Sequence, residues 1–356
     1  MPFLNLHEAE ALAREKLPAR IYDYIAGGAN DEITLGANRR AFDALALRYR
    51  VLVDVSQRDL ATTLLGSRVD APIVVAPMAF QRLAHADGEL ATARAAAGLG
   101  MIMTASTFAT VSIEEIRAAA TGPLWFQLYV NQDRGLTAEL VRRAAAAGYS
   151  ALVLTVDVAE IGRRERDERN GFSLPPELRV VNFTPERSGP LQRPGEASGL
   201  ADFIRTMRDP GFTWKDLEWL RGLSELPLIL KGVVRADDAR RAVSAGAGGI
   251  VVSNHGGRQL DTAIPSLEAL PAIVAEVGNE ALVMVDGGIR RGTDVLKALA
   301  LGARAVMVGR PVLWGLALDG EAGARRVLEL LRDELDLAMA LAGTPRLTDI
   351  SPDLLA

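Results

Sequence analysis

His255 and Arg258 stand three residues apart in SNHGGRQLD (253–261), directly after the apolar run GGIVV. Such a run reads as a buried strand, so an imidazole and a guanidinium lie just past its end on a glycine-softened turn. A neutral imidazole can accept a proton near neutral pH. A guanidinium can hold a carboxylate through two parallel hydrogen bonds, which lysine cannot copy. Together they suit a small carboxylate that has to lose a proton, which describes a 2-hydroxy acid. Taken alone, the pair could equally be a satisfied core histidine and a surface charge, so the elements around it have to decide.

Short apolar runs recur along the chain with alanine-rich helical stretches between them: IVVAP (73–77), MIMTAS (101–106), LWFQLYV (124–130), ALVLTVD (151–157), LILKG (228–232), GIVVSN (249–254), LVMVDGG (282–288) and AVMVGR (305–310). Alternating strand and helix predicts a parallel sheet. Eight strands closed in a ring give an α/β fold of the (β/α)8 TIM-barrel type, with a doubly wound open sheet as the alternative. The helical stretches ATARAAAGLGM, TAELVRRAAAAGYS, ADDARRAVSAGAGG and GTDVLKALALGAR each close on glycine before the next strand. One domain over 1–356 is expected, with an N-terminal helical flank (1–70), the barrel (71–320) and a C-terminal helical segment (321–356). The long interval after strand 4, about 158–214, opens with GRRERDERNG and continues rich in Pro, Gly and Ser, and is read as a lid over the strand ends.

In such barrels the active site lies at the carboxyl ends of the strands, and polar residues fall there repeatedly. Strand 1 ends in Pro77-Met78-Ala79, strand 2 in Ser106, strand 3 in Gln127 and Tyr129, and strand 4 in Thr155 and Asp157. Strand 5 ends in Lys231, strand 6 in His255 and Arg258, strand 7 in Asp286-Gly287-Gly288, and strand 8 in Gly309-Arg310. The glycines after strands 7 and 8 let backbone amides approach an anion, and Arg290 and Arg310 add donors, so a phosphate group is the expected guest. No GxGxxG follows a strand and opens a helix, which argues against a dinucleotide fold. Lys231 needs a negative partner: it could form a Schiff base, hold a phosphate, steady charge on a flavin ring, or pair with a structural carboxylate.

Composition sets the outer limits. A chain of 356 residues, 49% hydrophobic, can bury roughly three quarters of its unfolded surface without staples. A net charge of -5 offers no general pull toward nucleic acid or anionic lipid. With no cysteine there is no disulfide, thiolate metal site or thiol nucleophile, and redox chemistry has to come from a bound cofactor. The N-terminal MPFLNLHEAEALAREKL carries charges at helical spacing, unlike a signal peptide, and no apolar run approaches a membrane span. A soluble cytoplasmic protein without metal, nucleic-acid or membrane partners is expected.

The ordered set YDYIAGGANDE (22–32), APMAFQRLAHADGE (76–89), WFQLYV (125–130), LTVD (154–157), GRRERDERNGF (162–172), LKG (230–232), SNHGGRQLD (253–261), VDGGIRRGTDVLKALALGA (285–303) and VGRP (308–311) resembles the FMN-dependent 2-hydroxy acid oxidase and dehydrogenase family, glycolate oxidase and L-lactate oxidase among its members. The similarity runs through nearly the whole chain. It implies that His255 is the base, oriented and steadied as a cation by Asp157, and that Arg258 and Arg164 hold the carboxylate or the charge that develops. Tyr24 would donate to the carboxylate, and Tyr129 would reach the hydroxyl oxygen. Gln127, Thr155, Ser106 and the amides near Ala79, with Pro77, Met78 and Ser253, would meet the flavin, with Lys231 beside its pyrimidine side. Asp286, Gly287, Gly288, Arg290, Gly309 and Arg310 would meet the ribityl and phosphate ends. A hydride route and a carbanion route call on the same residues.

The resemblance further implies oxidation of a short (S)-2-hydroxy acid, L-lactate or glycolate, with O2 as acceptor, hydrogen peroxide as product and a tetrameric assembly. The alternative is a dehydrogenase, on lactate or a mandelate-like acid, that passes electrons to a quinone or another acceptor. Residues 179–212 are too polar for the hydrophobic anchor expected of membrane-linked members, and there is no room for a haem domain. A non-redox phosphate-binding barrel is the reading outside enzymology of this kind. Three positions depart from the familiar pattern: Phe108 stands for a tryptophan after strand 2, Phe80 for a methionine, and Glu160 precedes the arginine motif. Phe108 lines the substrate site as an aromatic wall without an indole donor, and Phe80 is read as core.

Overall fold

The computed structural model describes residues 3–175, 177–183 and 207–356. The described strands close into a parallel barrel of eight: β1 (Ile73–Val75), β2 (Ile102–Ala105), β3 (Leu124–Leu128), β4 (Ala151–Thr155), β5 (Leu228–Val233), β6 (Gly249–Val252), β7 (Leu282–Asp286) and β8 (Ala305–Val308). β8 pairs with β1, Val306 opposite Ile73, to complete the ring. Val74, Ile102, Trp125, Val153, Ile229, Val251, Met284 and Met307, one from each strand, meet in the barrel interior. Their neighbours, such as Val75, Met103, Phe126 and Leu154, face outward into the core shared with the helices. With both faces buried, the strands read as unbroken apolar runs.

Glycines close the intervening helices in the left-handed region: Gly100, Gly148, Gly246 and Gly302 have φ of 60°, 82°, 87° and 97°. Before the barrel come α1 (Leu6–Lys16), α2 (Ala19–Ala26) and α3 (Ile33–Asp43). A short antiparallel hairpin, Thr62–Leu64 with Ser67–Val69, follows them and was not expected in a helical flank. Its Leu64 and Val69 join the interior cluster, and Ser67 meets Ser150 at the start of β4, so the hairpin plugs the barrel end opposite the site. At the other terminus the helix Arg310–Ala342 breaks at Asp319 and Gly320. A Cβ on Gly320 would sit 2.9 Å from the His85 ring.

Two expectations need adjustment. Lys231 does not end β5: the strand runs on to Val233 through a register shift at Gly232, whose φ is 108°. Of the interval 158–214 read as a lid, residues 184–206 and 176 lie outside the described residues, and the described part holds one short helix after β4, Glu165–Arg169.

Candidate active site

A cavity open to solvent on its outer side lies at the carboxyl ends of the strands. Pro77, Met78 and Ala79 after β1, Ser106 and Phe108 after β2, Gln127 in β3, Tyr129 just past it and Thr155 in β4 all line it. Lys231, His255, Arg258, Asp286, Gly287, Gly288, Arg290, Gly309 and Arg310 line it from the second half of the barrel. Tyr24 enters from α2 and Arg164 from the segment after β4. Phe80, read as core, is 1% exposed and also faces this space.

Two expected residues do not line the cavity. Asp157 stands behind His255, its Oδ1 2.9 Å from Nδ1. Ser253 is a strut: its Oγ accepts from Lys231 Nζ at 2.9 Å and from the His255 N–H at 3.0 Å, which occupies both of its acceptor sites.

The turn that carries the histidine is unusual. His255, Gly256 and Gly257 have consecutive φ values of 60°, 65° and 75°. Two glycines relieve the cost of this left-handed path, and Gly257 also passes so close to α3 that a Cβ would lie 2.6 Å from Leu35 N. Since the carboxylate accepts a hydrogen bond from Nδ1–H, Nε2 is the ring nitrogen left to act as a base. Burial holds the His255 pKa below its usual value, with Lys231 and Arg164 pushing the same way and Asp157 opposing. Burial pushes Asp157 up, but the His255 pairing and Lys231 outweigh it, so the carboxyl lies below the usual range.

The arginines are anchored by the end of α2. Arg258 Nη1 donates to the carbonyls of Tyr24 (2.8 Å) and Gly27 (3.0 Å), and its guanidinium lies 5.3 Å from the Tyr24 ring centroid. Arg310 donates to the Ile25 carbonyl through Nε (3.0 Å) and to Gly27 through Nη2 (2.9 Å). Cations are favoured at a helix carboxyl end, yet burial and neighbouring Arg164 push Arg258 down to about 10, still a cation at neutral pH. Arg310 is pushed down further by burial and by Arg258, Arg290 and Arg164. This crowd of buried positive charge calls for anions. Burial, reinforced by Asp157, pushes Tyr129 up to about 12, so it remains a donor.

Lys231 Nζ pairs with Asp286 Oδ2 at 2.7 Å. Burial alone would lower its pKa; Asp286 and Asp157 raise it. Three buried polar atoms in cavity-lining residues have no partner among the described residues: Gln127 Nε2, Asp286 Oδ1 and Arg164 Nε. Such atoms are costly unless something bound meets them. Near the opening of the helix Arg310–Ala342, Gly287 and Gly288 (φ 90° and 85°) expose backbone, and a Cβ on Gly288 would stand 2.2 Å from Asn38 O. Sequence reasoning missed Arg208, which lines the cavity with its guanidinium 5.5 Å from the Tyr129 ring centroid. It sits in the long interval, where no motif singles it out.

The sequence profile of the FMN-dependent dehydrogenases matches residues 13–356. An L-lactate oxidase of Nostoc sp. is 55% identical over 357 residues, 99% of this chain and 98% of that protein. A glycolate oxidase of Spinacia oleracea is 48% identical over 351 residues, covering 99% and 95%. A crystal structure of mandelate oxidase with (S)-4-hydroxymandelic acid superposes with a TM-score of 0.95 at 47% identity, covering 99% of this chain and 98% of that one. With its eight-stranded barrel, its glycines after β7 and β8 and a cavity-lining histidine backed by Asp157, the chain belongs to the FMN-dependent dehydrogenase family.

Proposed function

We propose that the protein oxidises a short (S)-2-hydroxy acid, L-lactate or glycolate, to the 2-oxo acid with FMN as cofactor and O2 as acceptor. The observation that carries the reading is a single cavity lined by an Asp157-backed His255, by Arg258 and Arg164, and by the glycines and arginines after β7 and β8. The residues present fit FMN: Gln127 Nε2 and Asp286 Oδ1 are a donor and an acceptor left for a polar ring and a ribityl hydroxyl. Gly287, Gly288, Gly309, Arg290 and Arg310 suit its phosphate. Bound FMN supplies a two-electron acceptor which O2 reoxidises, giving hydrogen peroxide.

In this reading Arg258 and Arg164 hold the substrate carboxylate, Tyr24 donates to it, and Tyr129 donates to the hydroxyl oxygen. His255 Nε2 takes the proton that the substrate loses, and Asp157 stabilises the imidazolium so formed. Phe108 forms part of the aromatic wall. Lys231 presents positive charge toward the ring, and Pro77, Met78, Ala79, Ser106 and Thr155 bound its face. The structural likeness to mandelate oxidase, together with the aromatic lining, supports a mandelate-like acid as the second candidate substrate.

No described helix is long and apolar enough to cross a membrane, which suits a cytoplasmic enzyme. Exposed Tyr49, Val51, Leu52, Leu337 and Leu341 would be covered in a homotetramer, which light scattering can weigh. The decisive experiment is an absorbance spectrum of purified protein followed by anaerobic titration with L-lactate, glycolate and (S)-mandelate. Bleaching by the first two, with peroxide formed on readmitting air, is expected. A colourless protein that takes up no FMN, or turnover that needs an added dye even in air, overturns the oxidase reading.

A further inference from the structure

The loops after β1 and β2 are tied together by one buried carboxylate. Glu89, in the first turn of α4 (Gly88–Ala97), is fully buried. Its Oε1 accepts from the Gln81 N–H at 3.1 Å and the Thr110 N–H at 2.9 Å, and its Oε2 accepts from the Thr110 hydroxyl at 2.6 Å. Gln81 belongs to the β1 loop and Thr110 to the β2 loop, so the carboxylate is a cross-link. A second one runs beside it, from Arg82 Nη1 to the Thr110 carbonyl at 3.1 Å. Without Glu89 two buried backbone N–H groups lose their acceptor, which native structures rarely tolerate.

What the cross-link holds is an aromatic wall of the cavity. Phe80 immediately precedes Gln81, and Phe108 lies two residues before Thr110. Their ring centroids are 6.3 Å apart, and the Phe80 N–H donates to the Phe108 carbonyl at 3.2 Å. Phe80 has φ 56° and ψ 45°, a left-handed conformation disfavoured for a bulky residue. Such a conformation persists only where its surroundings over-determine it, and it concentrates at functional sites. Here the bond from Gln81 to Glu89 pins the peptide that follows. Neither Glu89 nor Thr110 lines the cavity.

We propose that Glu89 is a positioning residue for substrate choice: by holding Phe80 in its left-handed conformation against Phe108, it limits how bulky a side chain the 2-hydroxy acid can carry. The proposal rests on reading the site as that of a 2-hydroxy acid oxidase. Loss of the cross-link lets Phe80 relax and the wall withdraw, so bulkier acids gain.

The test uses FMN-loaded Glu89→Ala, Glu89→Gln and Thr110→Val. The readouts are kcat and KM on glycolate and (S)-mandelate, and dissociation constants of acetate and phenylacetate from the perturbed flavin absorbance. Glu89→Ala is expected to raise the mandelate-to-glycolate ratio of kcat/KM about tenfold, chiefly through KM, the scale on which pocket shape discriminates. Phenylacetate should tighten relative to acetate in parallel. Glu89→Gln keeps the acceptor for both N–H groups and is expected to retain the parent ratios. Thr110→Val removes the hydroxyl, which donates to Glu89 and accepts from the Arg82 N–H at 3.4 Å, but leaves both N–H bonds to Glu89 in place, so it keeps the test open should Glu89→Ala not fold, and is expected to shift the ratios the same way by a smaller factor. Unchanged acetate-to-phenylacetate ratios in Thr110→Val, or in folded Glu89→Ala, overturn the proposal. Absence of turnover by the parent on every acid overturns the functional reading instead.

Discussion

Lys231 and Asp286 form an ion pair, Nζ to Oδ2 at 2.7 Å, that bridges from β5 to β7 over the strand between them. Both side chains are nearly fully buried, and the second carboxylate oxygen has no partner among the described residues. In the proposed function the pair would leave one positive and one negative group for the ring and polyol tail of FMN.

Lys231→Met is expected to weaken FMN binding or slow flavin reduction, and to lower stability by up to about 3–5 kcal/mol because Asp286 is left as a buried unpaired charge. Fluorescence titration with FMN, stopped-flow reduction and urea denaturation measure the three effects. If binding and reduction both stay as in the parent, the lysine is structural only.

His255→Gln removes the base and keeps a side chain of similar length. Turnover is expected to fall by about 10²–10⁴-fold or more with FMN affinity intact. A variant that keeps its activity dismisses His255 as the proton acceptor.

The pH profile follows from the direction of the shifts. His255 must be neutral to accept a proton, and burial holds its pKa below the usual imidazole value. The acid limb of kcat/KM is therefore expected below about pH 6.5, the unperturbed value, with activity lost as pH falls through it. Asp157 is a group that raises this pKa, so Asp157→Asn should move the limb to still lower pH while reducing kcat. A limb that moves upward contradicts the arrangement. Tyr129, pushed up to about 12, should cause no loss at the alkaline pH where an ordinary phenol ionises.

Gly288→Ala places a Cβ against Asn38 O, where the ideal position is 2.2 Å away, at a φ of 85°. The expected cost is at least about 1–3 kcal/mol of backbone strain, read as a lower urea midpoint and weaker FMN retention. Parental stability and parental FMN affinity together would contradict the cradle.

Much of this protein is legible in the chain itself. Strands buried on both faces have to be apolar throughout, so eight runs announce eight strands. The helices that run into Gly100, Gly148, Gly246 and Gly302 close on a glycine because the left-handed turn back to the sheet disfavours a Cβ. Since barrel chemistry collects at strand carboxyl ends, His255, Arg258, Gln127 and the glycines after β7 and β8 could be picked out by position alone.

Direction and distant pairing are decided only when the barrel closes. Ser253 looks like its neighbours in SNHGG, yet its hydroxyl oxygen accepts from Lys231 and His255 and stands outside the cavity lining. The carbonyls at the end of α2 reach Arg258 and Arg310 across more than two hundred residues. Arg208 falls in no motif, and Glu89 closes the motif of residues 76–89 with nothing local to say that it ties the β1 loop to the β2 loop. Apolar periodicity reports burial, which each segment expresses by itself. Where a side chain points and which far-off donor it meets depend on backbone turns such as His255–Gly257 and on the closure of all eight strands, which no local segment encodes.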